Sequence, residues 1–333
     1  MSLVVSQITR RFASSAQPVV EDASLTITPG TIVALVGESG AGKSTLLRMI
    51  AGLEAPDAGE IRLGDRLLAD AHTSVPPERR GIGLVFQNHA LFPHLTVEAN
   101  VSFGLHGRLA TEKRSEVTRL LALAGLNGCE KRMPHELSGG ERQRIALVRT
   151  LAPRPALVLM DEPFSSLDAS LKVRMRGEVR DILKQSGVMA LIVTHDVNDA
   201  LDLADRIAVI NSGHILQVGA PEDLYTAPAT REVALFFGPC NFLPGDAFAG
   251  LSSVGLIRPA GINEIWARPG ALTIVAESRA RSAGGFVGEV VASRFHGDRW
   301  EVRFHADGVS SEILVYAPEF CPSGRAGVLP RSA

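Results

Sequence analysis

Residues 31–45 read TIVALVGESGAGKST. A short apolar run, 31–36, leads into a glycine-rich turn. Residues 43–50 (KSTLLRMI) then place Leu46, Leu47 and Ile50 at helical spacing, and Gly52 is a stop signal. Strand, glycine turn and helix in that order match G-x4-G-K-[ST], a phosphate-binding loop. The glycines let the backbone wrap round an anion so that successive N–H groups converge on it. The helix N-terminus adds partial positive charge. Gly37, Glu38, Ser39, Gly40, Ala41 and Gly42 form the expected cradle. Lys43 is expected to neutralise β- and γ-phosphate oxygens, Ser44 to ligate Mg2+, and Thr45 completes the motif.

Further runs, 156–160 (ALVLM) and 190–193 (ALIV), are wholly apolar. Strands buried on both faces look like this, and parallel sheets covered by helices bury both faces. Between these runs, 112–126 and 141–151 read as helices in a stretch with few strand signals, so a helical subdomain is expected over about 88–155. Residues 207–210, the turn Asn211-Ser212-Gly213 and residues 214–218 read as a hairpin. After about 238 Gly and Pro punctuate β-like runs at 286–295, 298–304 and 311–316. In the second, Trp300, Val302 and Phe304 alternate with Arg299, Glu301 and Arg303, the pattern of a half-buried strand. The last 90 or so residues read as a small antiparallel β domain.

Two more stretches carry chemistry. Residues 157–163 (LVLMDEP) are a buried strand ending in two carboxylates. In phosphoryl-transfer sites such a strand end supplies an acid to the Mg2+ shell, here Asp161, and the next acid, Glu162, can polarise a water. Alone, the pair would read first as an ordinary strand end with solvated acids; the phosphate loop in the same chain favours the catalytic reading. Residues 137–144 (LSGGERQR) place Glu141 three residues after Ser138, the spacing of a capping box. A well-capped helix and a second anion cradle formed by Ser138, Gly139 and Gly140 both fit.

Composition removes several classes. Lys plus Arg is 34 and Asp plus Glu is 36, a net charge of −2, so nucleic-acid binding by bulk charge is not expected. The three cysteines, Cys129, Cys240 and Cys321, are far apart and suggest neither a disulfide framework nor a zinc site. No apolar run approaches the 18 or so residues of a spanning helix, and the first residues lack a signal-peptide pattern, so a cytoplasmic chain is expected.

The phosphate loop, LSGG about 100 residues later, and DEP 23 residues after Ser138 together resemble the nucleotide-binding subunit of an ATP-binding-cassette (ABC) transporter. Smaller motifs agree in family order: Gln87 matches the Q-loop, Ser165-Ser166-Leu167-Asp168 the D-loop and Thr194-His195-Asp196 the H-switch. Phe12 falls where the family stacks an aromatic on adenine. The resemblance covers residues 1–238. It implies a RecA-like phosphate-loop core with an inserted helical subdomain, and a homodimer sandwiching two ATP molecules. In that sandwich Ser138, Gly139, Gly140, Glu141 and Asp168 of one copy face the phosphate loop of the other. It also implies that Glu162 is the base, that His195 contacts the γ-phosphate, and that Gln87 senses the metal and the attacking water.

The apolar segment 88–105 (NHALFPHLTVEANVSFGL) would, by the same resemblance, face an integral membrane permease, with an extracytoplasmic solute-binding protein acting indirectly. Its apolar residues also suit a subdomain core. Residues 239–333 resemble the β-barrel regulatory domain of the importer branch serving ferric iron, sulfate, molybdate, polyamines and some sugars, although Gly270 replaces the acid of that branch's xRPE element. Residues 76–105 look most like ferric-iron importers. The implied role is an ATPase at the cytoplasmic face of the inner membrane. A non-transport ABC protein and an anion- or metal-sensing regulatory module are the competing readings.

Overall fold

The computed structural model describes residues 1–13, 16–85, 91–105, 107–165, 167–248 and 255–331. They form two compact units, Met1–Pro221 and Glu222–Ala333.

The first unit is built on two sheets. β1 (Leu3–Arg10), β2 (Val20–Ile27), β4 (Ala58–Leu63) and β5 (Arg66–Ala69) make an antiparallel sheet in the order β2-β1-β4-β5. The second sheet has the order β10-β9-β3-β8-β7-β6, from β3 (Ile32–Val36), β6 (Ile82–Val85), β7 (Leu157–Asp161), β8 (Met189–Thr194), β9 (Arg206–Asn211) and β10 (His214–Gly219). All its pairs are parallel except β9 with β10. β3, β7 and β8 are the apolar runs read above, and the wholly buried β3 and β8 show why they do not alternate. Their side chains divide between two cores. Val33, Leu35, Leu159 and Leu191 face the antiparallel sheet and α1 (Lys43–Ala51). Ile32, Val158, Met160 and Ile192 face a helical layer.

That layer contains α2 (Val97–Ser102), α3 (Ala110–Leu123), α4 (Gly139–Leu151) and α5 (Ala169–Ser186). No strand occurs among the described residues between β6 and β7, as the middle of the sequence suggests. α6 (Val197–Leu203) follows β8. The hairpin β9–β10 turns at Ser212 and Gly213, both at positive φ, as a primed turn requires. The antiparallel sheet is an addition that the periodicity did not expose. Register shifts between Val5 and Ile8 and between Ile8 and Arg10 interrupt the alternation of β1.

The second unit starts with α7 (Pro221–Thr226), whose first residue falls in the other unit, and α8 (Arg231–Phe236). Both helices therefore cluster with the β domain, although the family resemblance carries to residue 238. One side chain bonds to both helices. Arg268 is buried, and its Nη1 donates to the carbonyls of Ala234 at 2.7 Å and Gly238 at 3.0 Å. Its Nη2 donates to the carbonyl of Tyr225 at 3.2 Å, and the guanidinium lies over the Tyr225 ring. The carbonyls left over at two helix ends are thus satisfied by one cation.

The β domain has a three-stranded sheet, β11 (Asn241–Pro244), β13 (Glu264–Ala267) and β12 (Leu256–Ile257), in the order β11-β13-β12. Its five-stranded sheet has the order β14-β18-β15-β16-β17, from β14 (Leu272–Val275), β15 (Phe286–Phe295), β16 (Trp300–Ala306), β17 (Glu312–Ala317) and β18 (Gly324–Pro330). α9 (Glu277–Ala283) joins β14 to β15. Every pair is antiparallel. The sheet curls until its outer strands, β14 and β17, lie side by side without pairing. Arg331 spans that seam, donating to Leu272 O at 3.1 Å and Tyr316 O at 2.7 Å. Asn241 bonds both the N–H and the carbonyl of Leu314 on the outer side of β17. The expected barrel is an open one, stitched by side chains.

Arg268→Met should destabilise the full chain by about 2–4 kcal/mol, since it leaves several buried carbonyls without donors. Thermal unfolding measures this, and an unchanged transition would show that the arginine is not the tie between α7, α8 and the sheet.

Candidate functional site

Two glycines shape the loop between β3 and α1. A Cβ on Gly37 would overlap the carbonyl oxygen of Ile210 at the end of β9. Gly42, the N-cap of α1, has φ 99°, and a Cβ there would overlap the carbonyl oxygen of Val19. The β9–β10 turn clasps the loop from one side, with Gly213 N–H donating to Ala41 O at 3.2 Å and Glu21 N–H to Gly213 O at 3.0 Å. The walls of the cradle therefore come from Val19 and from residues 210–213, which no local motif identified.

Lys43 is buried, and its Nζ donates to the carbonyls of Gly37 at 2.8 Å and Glu38 at 2.7 Å. Burial draws its amine below the ordinary lysine value, opposed by the charges of Glu162 and Asp161. Ser44 Oγ donates to Asp161 Oδ1 at 3.1 Å, joining the first turn of α1 to the end of β7. Burial holds the Asp161 carboxyl above the usual carboxylate range. The bond from Ser44 works against that shift, and the charge of Glu162 adds to it.

Glu162 has φ 44°, a left-handed conformation that is uncommon for a residue other than glycine. Both of its peptide groups are held: its N–H donates to Val193 O at 2.9 Å, and its carbonyl accepts from Ser165 Oγ at 3.0 Å. Its side chain turns to His195, with Oε1 2.9 Å from Nδ1. A carboxylate can only accept, so Nδ1 carries the proton. The two residues line a cavity of about 460 Å3 together with Val19, Ser39, Gly40, Gly42, Lys43, Ser44 and Thr45. A larger cavity of about 620 Å3 opens by Pro29, Ala156 and Met189, at the opposite ends of the parallel strands. The smaller one is the candidate site, because ligands of open α/β sheets bind beyond the carboxyl ends of the strands.

Other expected residues lie elsewhere. Ser138 caps α4 in a full capping box: its Oγ accepts from Glu141 N–H, and Glu141 Oε2 accepts from Ser138 N–H at 2.8 Å. The Ser138 N–H, and after it the Ser138 hydroxyl 2.7 Å from Oε2, hold the Glu141 carboxyl below its usual range. Asp168 caps α5, accepting from Leu171 N–H at 2.9 Å and Ser170 Oγ at 2.7 Å, and is held low by those bonds. Neither Ser138, Gly139, Gly140, Glu141 nor Asp168 lines the cavity of its own chain. Phe12 is half-buried beneath the Arg10 guanidinium, 4.9 Å from its ring centroid, and is not among the lining residues either. Gln87 lies outside the described residues, as do Asn88 and Ser166. In the apolar segment after Gln87, Val97, Val101 and Leu105 are core residues. Phe92 and Phe103 pack together at 4.5 Å, with Phe103 about half exposed.

Comparison with known proteins agrees with this geometry. The family described as ABC transporter matches residues 20–165. A putrescine transport ATP-binding protein of Escherichia coli K12 is 42% identical over 316 residues, covering 89% of this chain and 82% of the relative. An Fe(3+) ions import ATP-binding protein of Pseudomonas fluorescens is 44% identical, covering 84% and 81%. A sulfate/thiosulfate import ATP-binding protein of Chromobacterium violaceum is 40% identical, covering 96% and 88%. With the phosphate loop, Glu162 and His195 gathered round one cavity, Asp161 bonded to Ser44 of that loop, and relatives matched over most of their length, this chain belongs to the ATP-binding proteins of the ABC transporter family.

Proposed function

We propose that this chain hydrolyses ATP to energise a bacterial ABC importer. The observation that carries the reading is the Glu162–His195 pair at 2.9 Å, set over a phosphate loop whose Ser44 bonds Asp161. In this reading residues 1–238 are the nucleotide-binding domain, with a helical subdomain over about 88–155, and residues 239–333 a regulatory-type domain. Loop N–H groups and Lys43 bind the β- and γ-phosphates, Lys43 exchanging the carbonyls of Gly37 and Glu38 for phosphate oxygens. Glu162 takes the proton of an attacking water, and its strained, doubly tethered backbone fixes where that carboxylate points. His195, held by its bond to Glu162, meets the γ-phosphate.

The oxygen donors Ser44 and Asp161 are hard ligands brought together, and they suit Mg2+. The ion, when bound, supplies positive charge against the phosphates. Gln87 joins this set by family resemblance. Ser138–Glu141 and Asp168 lie outside their own chain's cavity, which suits their serving the loop of a second copy. Phe92 and Phe103 offer the apolar surface that docking onto membrane permease subunits needs. No helix among the described residues is long and apolar enough to cross a membrane, so attachment to the inner membrane's cytoplasmic face would come through those subunits. A solute-binding protein would act from the far side. Ferric iron is the leading solute, because that name recurs among the relatives, with polyamine and sulfate import beside it.

Asp161 should show a conflict between stability and function. Its folded-state pKa lies above the unfolded one, so it contributes stability below the usual carboxylate range, and that stability is lost as pH rises through the folded value. Asp161→Asn should therefore unfold at a higher temperature than the parent at pH 7 without nucleotide, the gap narrowing toward pH 4, while Mg2+-dependent turnover collapses. A lower unfolding temperature at pH 7 contradicts this.

Phe12→Ala should weaken nucleotide binding by about 1–3 kcal/mol, by analogy with base–aromatic stacking. Its unfolding temperature should barely change, because the ring is no part of the core. Unaltered affinity in equilibrium titration would refute the stacking role of Phe12.

Glu162→Gln should lower ATPase turnover by about 10²–10⁴-fold while ATP still binds. Sedimentation of this variant with Mg2+-ATP should reveal a dimer absent without nucleotide, since a ligand that binds only the assembled state favours assembly. Full turnover would exclude Glu162 as the base.

A further inference from the structure

His195 lies in the short connection between β8 and α6. A chain of polar bonds running to α5 holds that connection. Thr194 Oγ1 accepts from Asp196 N–H at 3.0 Å and donates to Asp199 Oδ2 at 2.8 Å, so its bonds straddle His195. Asp199 Oδ1 accepts from Arg176 Nε at 2.7 Å. The same guanidinium donates through Nη2 to Asp196 Oδ2 at 3.0 Å and through Nη1 to Asp202 Oδ2 at 3.2 Å. Asp196 Oδ1 meanwhile accepts from Asn198 N–H and caps α6. Arg176, with 7% of its side chain exposed, thus spends each arm on a different carboxylate of the segment that follows His195.

Stability alone is a weak reason for such a cluster. Burying a guanidinium carries a desolvation cost that its ion pairs often fail to exceed, and an apolar side chain on the same helix face would pack at no such cost. What the arginine adds is direction. Its planar fork fixes three acceptors at set angles, which neither an apolar group nor a lysine can do.

We propose that Arg176 is a positioning residue for ATP hydrolysis: through Asp196, Asp199 and Thr194 it sets the direction in which His195 meets Glu162. The proposal rests on the reading of His195 as a site residue. It also gives α5 two tasks, because the helix that Asp168 caps carries the group that aims His195. A shift of α5 would move both together.

The test is steady-state ATPase kinetics of the full chain, combined in a cycle with His195. Arg176→Gln should lower kcat about tenfold, the scale of lost outer-shell partners, with KM for ATP kept within about twofold. Arg176→Lys, which keeps the charge and loses the fork, should recover part of that loss. In a His195→Ala background, with residual turnover followed by radiolabelled phosphate release, Arg176→Gln should cost less than about twofold more. An equal loss in both backgrounds, or a loss confined to KM, overturns the positioning role. Should Arg176→Gln not fold, Thr194→Val breaks the same chain next to His195 and leaves no unpaired cation; the same cycle then applies. Parent-level turnover in His195→Ala would overturn the site reading and this proposal together, whereas a crippled His195→Ala with an additive Arg176 effect overturns this proposal alone.

Discussion

Backbone pressed on backbone is the constraint from which the rest of the first unit follows. The loop after β3 can close round an anion only if Gly37 lies against the Ile210 carbonyl and Gly42 against that of Val19. Those two approaches require β9 beside β3, and the start of β2 above the first turn of α1. The parallel order β9-β3-β8-β7 then brings the ends of β7 and β8, with Asp161, Glu162 and His195, to the same edge. A phosphate loop is thus less a local motif than the meeting point of two sheets.

Electrostatics at that edge are arranged against the resting stability of the fold. One lysine, drawn below its ordinary range by burial, faces two adjacent acids, of which Asp161 is held above its own. Each deviation would shrink if phosphate and a divalent cation shared the site, because each group would then gain opposite charge. The site is built for a charged ligand, and the left-handed backbone of Glu162 belongs to the same pattern of local strain.

Much of this was legible in the sequence because the decisive signals are short-range. The strand, turn and helix of residues 31–51, the DEP strand end and the Ser138–Glu141 capping box each declare themselves within about twenty residues, and each stands where its pattern indicates. What stayed hidden is long-range or irregular. The antiparallel sheet was obscured by the shifts in β1. Val19 lines the cavity through a fold contact, with no chemical label of its own. Arg176 reads as one more charge on a helix until α6 is seen to present Asp196, Asp199 and Asp202 to it. Nothing in the sequence marks Arg268 as buried, yet its carbonyl bonds tie two helices to the β domain.

The seam of the five-stranded sheet has a consequence for self-association. Outer strands ordinarily offer a ladder of unused N–H and C=O groups to which another chain can add. Here Arg331 occupies carbonyls on both β14 and β17, and Asn241 takes both backbone groups of Leu314. Strand exchange and amyloid-like stacking are thereby disfavoured along this sheet. Pairing of two such domains along this sheet must be read through side chains, where shape and charge can reject the wrong neighbour, rather than through a backbone that all proteins share.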